Sequence, residues 1–115
     1  MELSTLNRTL LFDTYGDMLT DKQRLCFDLR YNQDLSLGEI AELEGISRQA
    51  VRDNIVRTEA LLQDLEQKIG AVDRMLRLEA AEQQLLAAAH EAAALGDAGK
   101  AVAHRIESAL ASIKE

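Results

Sequence analysis

The sequence predicts an all-α chain, with short helices bundled up to residue 70 and long helices over residues 71–115. Three observations predict it. Proline is absent and aromatics are only 3% of the 115 residues, a composition poor in the side chains that strands favour. Apolar residues recur at spacings of three and four along most of the chain, the period of an amphipathic helix. At two places a Thr or Ser stands three residues ahead of Gln or Glu where such a stripe begins, which is the capping-box signature of a helix start.

The first stripe runs through Leu3, Leu6, Leu10, Leu11 and Phe12, with Tyr15 following, and is interrupted at Gly16 and Asp17. Thr20, with Gln23 as its box partner, opens a second helix whose apolar positions are Leu25, Cys26 and Leu29, completed by Phe27 or Tyr31. It ends in the polar run Asn32-Gln33-Asp34. Ser36 and Glu39 open a third, short helix with Leu37, Ile40, Ala41 and Leu43 apolar. It stops at Gly45, where a residue without Cβ takes positive φ cheaply. Ser47 then caps a fourth helix that begins Arg48-Gln49-Ala50-Val51.

Two helices joined by a three-residue turn containing glycine make a helix-turn-helix. That unit needs a small residue where its helices cross, a glycine four positions on, and an apolar residue six beyond that. Ala41, Gly45 and Val51 supply all three. At 100° per residue, Val51, Ile55, Thr58, Leu62, Leu65 and Ile69 share the core face of the fourth helix. Gln49, Arg52, Asp53, Val56 and Arg57 fall opposite, with Arg48 at the boundary. Asn54 stands where such units often place an apolar residue, and Ile55 is expected to take over its packing.

A second helix of this kind enters the DNA major groove with its first residues at the base edges. Arg pairs with guanine and Gln with adenine through two hydrogen bonds each. Arg48, Gln49 and Arg52 are therefore candidates to read or position, Ser47 and Arg57 to hold phosphate, and Asp53 lies on the same face. The net charge of −7 opposes binding to a polyanion. Residues 45–58, however, carry three arginines against one aspartate, a local basic patch on an acidic body.

Beyond the helix-turn-helix, Leu62, Leu65, Ile69, Val72 and Leu76 continue a 3,4 seam past Gly70. After a phase break Leu78, Ala81, Leu85, Ala88, Ala92 and Leu95 repeat it. Gly96-Asp97-Ala98-Gly99 marks a turn, and Val102, Ile106, Ala109 and Ile113 form the stripe of a last helix. Such narrow stripes are expected to pair in a hairpin that packs on a second copy, giving a homodimer. The alternative is that both helices fold back on their own domain.

Chemistry finds little to work with. His90 and His104 have no ligand at metal spacing, Cys26 sits among apolar neighbours, and Gly16, Gly38 and Gly45 are isolated rather than grouped in a phosphate loop. Asp13 and Asp17 have no acid–base partner. No enzyme activity, cofactor or metal is expected. No apolar run reaches the roughly 20 residues of a membrane span, the N-terminus lacks a signal-peptide pattern, and a lone Cys26 fits a reducing cytoplasm.

Leu19-Thr20-Asp21-Lys22-Gln23-Arg24, Leu35 through Ala41 and Gly45 through Val51 resemble region 4 of bacterial sigma factors. The chain is more similar still to the YlxM-like family of small helix-turn-helix proteins. The likeness lies in Leu11-Phe12-Asp13-Thr14-Tyr15, in Leu19 through Arg24, and in the long run Ser47 through Glu59; it covers about residues 5–70. The resemblance implies a DNA-binding type of fold and a regulatory link to the signal recognition particle and its GTPase. Ala50 and Asp53 stand where sigma-factor recognition helices often carry polar or basic readers, which lowers the local positive field. DNA is the expected nucleic-acid ligand, since RNA binding would want stacking aromatics or an arginine-rich segment that this chain lacks.

Overall fold

The structure, a computed structural model, describes the backbone of residues 5–113 and the side chains of residues 7–113. It contains six α-helices and no strand among the described residues: α1 (Thr5–Tyr15), α2 (Asp21–Tyr31), α3 (Leu37–Glu44), α4 (Arg48–Ile69), α5 (Ala71–Ala93) and α6 (Asp97–Ile113), with a 3-10 turn at Gly16–Met18. The expected Leu3 lies outside the described residues, as does the side chain of Leu6. The chain divides into two compact units, Met1–Val72 and Asp73–Glu115.

In the first unit, α1, α2 and α3 all pack on α4. Two capping boxes fix the starts of α2 and α3. Thr20 Oγ1 accepts from the Gln23 N–H while Gln23 Oε1 accepts from the Thr20 N–H, and Ser36 and Glu39 repeat the exchange. Each box satisfies donors that a helix start otherwise leaves orphaned. Ile40, Val51, Ile55, Cys26, Leu29 and Ala41 form one buried cluster, which locks α3 against α4. Leu11, Tyr15, Leu19, Phe27, Leu62 and Val72 form the other, with the Phe27 ring packed at a tilt between Phe12 and Tyr31. Ile40 and Val51 are fully buried, each contributing about 1.5–3 kcal/mol by removal from water.

Several expected core positions are exposed instead. Leu25 and Leu43 face outward because α2 and α3 turn Cys26, Phe27, Leu29, Ile40 and Ala41 inward. The core face of α4 holds at Val51, Ile55, Thr58 and Leu62, is half-buried at Leu65, and is lost at Ile69. The seam does not run on through Gly70. That residue adopts φ +70°, caps α4, and starts a new helix one residue later.

The junction is tied by a small polar knot. The Tyr15 hydroxyl donates to Glu66 Oε1 at 2.6 Å and accepts from the Ala71 N–H, while Glu66 Oε1 also accepts from the Val72 N–H. Burial, reinforced by the Glu66 bond, pushes the Tyr15 hydroxyl above the usual phenol pKa.

In the second unit α5 is one unbroken helix, followed by a tight turn at Gly96 (φ +117°) and α6. Its buried residues are Ala89, Ala103 and Leu110. The expected stripe of α6 holds at Ile106, which is half-buried, whereas Ala103 and Leu110 turn inward in place of Val102 and Ala109, and Ile113 is exposed. On α5, Leu78, Leu85 and Leu86 remain on the surface, and so does Leu95 beyond its end.

Candidate nucleic-acid interface

The turn between α3 and α4 sets the site. Gly45 adopts φ +67°, its N–H bonding back to the Ala41 carbonyl, and the Ile46 N–H reaches the same carbonyl at 3.2 Å. This left-handed cap swings the chain so that Ser47 starts α4 beside α3. Ser47 Oγ accepts the Ala50 N–H at 3.0 Å, which leaves its hydroxyl proton free to donate outward. The Arg48 and Gln49 N–H groups lie in the first turn, where a helix has no internal acceptor for them.

From this start α4 runs for 22 residues, and its outward face carries the expected residues. Ser47, Arg48, Gln49, Arg52, Asp53 and Arg57 are all exposed, and Val56 lies between them. No carboxylate lies within 4.0 Å of Arg48, Arg52 or Arg57 among the described residues. Two residues are engaged with each other: Gln49 Nε2 donates to Asp53 Oδ1 at 2.9 Å. The aspartate thereby takes up one of the two amide hydrogens of Gln49 and leaves the other. The Arg48 guanidinium lies over Gly38, on the first turn of α3.

Two features were not evident from spacing. An open groove of about 430 Å³ runs between the first turn of α2 and α4, lined by Thr20, Lys22, Gln23, Asp53, Asn54 and Arg57. Lys22, also without a carboxylate partner, lines the same groove as Arg57. Nothing in the sequence marks Lys22, because its place depends on how α2 crosses α4. Asn54 sits at the groove with its side-chain oxygen buried and lacking a hydrogen-bond partner, while Ile55 takes the core position as expected.

Two turns further along α4, on the same side as Arg52, the surface is built differently. Glu59 accepts from the Tyr31 hydroxyl and pairs with Arg8 at 3.4 Å, and the Arg8 guanidinium stacks 3.9 Å from the Tyr31 ring centroid. Burial and the Glu59 bond raise the Tyr31 pKa. The Arg8 cation is thus consumed within the fold, whereas Arg48, Arg52 and Arg57 have no carboxylate partner among the described residues. No grouping of His, Cys, Asp and Glu suited to a metal occurs among the described residues, and no helix is long and apolar enough to cross a membrane.

Comparison with known proteins agrees with this geometry at the level of the fold. A family model described as "Putative helix-turn-helix protein, YlxM / p13 like" matches residues 3–97. A UPF0122 protein of Thermoanaerobacter sp. (strain X514) is 51% identical over 74 residues, covering 64% of this chain and 63% of that protein. One of Halalkalibacterium halodurans is 48% identical over 81 residues, covering 70% and 74%. One of Bacillus cereus (strain AH187) is 55% identical over 65 residues, covering 56% and 59%. The chain thus spans less than two thirds of the length of the Thermoanaerobacter and Bacillus proteins.

Proposed function

Because the chain belongs to the UPF0122 family of YlxM/p13-like helix-turn-helix proteins, we propose that it binds double-stranded DNA through the outward face of α4 and acts as a regulator rather than a catalyst. One observation carries this reading. In a chain of net charge −7, three arginines on one exposed helical face are left without carboxylate partners. Gln49, Arg52 and Asp53 face the base edges, while Ser47 and Arg57 hold the phosphates on either side. The acidic remainder of the molecule limits affinity, and the arginine–phosphate contacts make binding weaken as salt rises.

The exposed leucines of the second unit support a homodimer. Leu78 and Leu85 lie seven apart on α5, a heptad spacing that suits an isologous contact with a second copy. A dimer would present two copies of α4, as paired half-sites require. The single buried thiol of Cys26 fits a reducing cytoplasm.

Duplex binding by the full chain, measured by fluorescence anisotropy at several salt concentrations, tests the reading. Arg52→Ala combined with Arg57→Ala is expected to lower the salt slope by about 2. A complex absent even near 50 mM salt, or untouched by these substitutions, would defeat it.

The second reading is a docking module for the signal recognition particle, its GTPase or its RNA. The same exposed leucines favour it, since an apolar stripe on an acidic arm suits a protein partner. Retention of the chain on the particle's GTPase or RNA in a pull-down, lost on Leu85→Glu, would favour it; no retention on either would remove it.

A further inference from the structure

We infer that Gly38 is a seat for Arg48, holding its guanidinium on the first turn of α3 so that Arg48 clamps the DNA backbone rather than reads a base. The inference deepens the DNA-binding reading and rests on it. A β-carbon built on Gly38 would lie 3.0 Å from Arg48 Nε, 3.1 Å from one terminal nitrogen and 3.3 Å from the central carbon. The two nitrogens lie nearer than the central carbon, so the guanidinium turns its Nε–Nη2 edge, tilted, toward the space that a side chain at Gly38 would occupy. Backbone conformation does not call for glycine there, since Gly38 is not among the residues with positive φ. Glycine is a poor helix former, so the close approach of Arg48 is what this position accommodates.

The seat decides what Arg48 can touch. Gly38 is the second residue of α3 and Arg48 the first of α4, so the guanidinium spans the two helix starts. In a helix-turn-helix the first helix crosses the sugar–phosphate backbone while the second enters the groove. A cation held on the first helix therefore meets phosphate. It arrives there with no carboxylate within 4.0 Å among the described residues, in the space that the missing Gly38 side chain leaves open beside α3. Reading of base edges is left to Gln49, Arg52 and Asp53, further along the exposed face.

The experiment measures duplex binding by the full chain for the wild type, Arg48→Ala, Gly38→Ala and the double variant, on several duplexes of unrelated sequence across a salt series. Circular dichroism confirms that each variant is folded. Arg48→Ala is expected to weaken every duplex alike, on the order of fivefold, and to lower the salt slope by about 1. Gly38→Ala should reproduce part of that loss and add nothing in the Arg48→Ala background. A loss confined to particular duplex sequences would make Arg48 a base reader and overturn the inference. So would a Gly38→Ala effect of equal size in both backgrounds, or none in either. Those failures leave the DNA-binding reading intact, whereas a wild-type chain that binds no duplex removes both.

Discussion

At the scale of single residues, the fold places its polar side chains where they finish helix ends. Tyr15 is the clearest case, a buried hydroxyl that joins Glu66 to the first N–H groups of α5. Tyr15→Phe keeps the ring but leaves the Ala71 N–H without its partner. It should cost about 1–3 kcal/mol in urea unfolding of the full chain; a loss below the error of the measurement would show that solvent replaces the bond. Glu39 offers a test through pH. The Ser36 N–H, with the Ser36 side chain, holds its carboxyl below the usual range. A carboxylate depressed in the folded state stabilises above its unfolded pKa, and that stabilisation is lost as pH falls through the folded value. Melting temperature should therefore drop more on acidification for the wild type than for Glu39→Gln, which keeps a capping box but has no charge to lose. Parallel curves for the two proteins would contradict this origin of the shift.

At the scale of elements, what was legible in the sequence was whatever local chemistry decides. Both capping boxes, the glycine stop at Gly45 and the Ser47 cap depend on residues within four of each other, and all four stand where the spacing puts them. The outward face of α4 was legible too, because periodicity alone separates Arg52 and Arg57 from Val51 and Ile55. Leu25, Leu43 and the phase of α6 were not legible, since each turns on which neighbour a helix meets. In α6 the alanines conceal the answer: Ala103 packs inward while the larger Val102 stays in solvent, opposite to what side-chain size suggests. Lys22 was hidden for the same reason. The seam across Gly70 was misleading because apolar spacing carries no record of a left-handed residue within it. Gly45 makes this scale testable. A Cβ there meets nothing within 4 Å, so Gly45→Ala is disfavoured by its positive φ alone, at about 1–2 kcal/mol. Gly45→Asn should recover part of this because asparagine tolerates the left-handed region better. Equal stability of the alanine variant and the wild type would mean that the turn relaxes at no cost.

At the scale of the whole molecule, the two units bury their apolar side chains very unequally. The first unit encloses Phe27, Ile40, Val51 and Leu62 almost completely; the second encloses two alanines on α5 and α6 and Leu110, while Leu78, Leu85, Leu86 and Leu95 face water. A helix pair with so small an inner face gains little from its own hairpin, and exposed leucines at helical spacing are the surface a second copy would cover. If that is their use, Leu78→Glu and Leu85→Glu, made together in the full chain, place like charges opposite one another across a two-fold contact. Light scattering should then show the mass of the wild type halved. Duplex affinity should fall with it, because two recognition helices held together bind at a high effective concentration that a lone one lacks. A wild type that is already monomeric, or a variant that keeps the dimer mass, would assign those leucines to another partner.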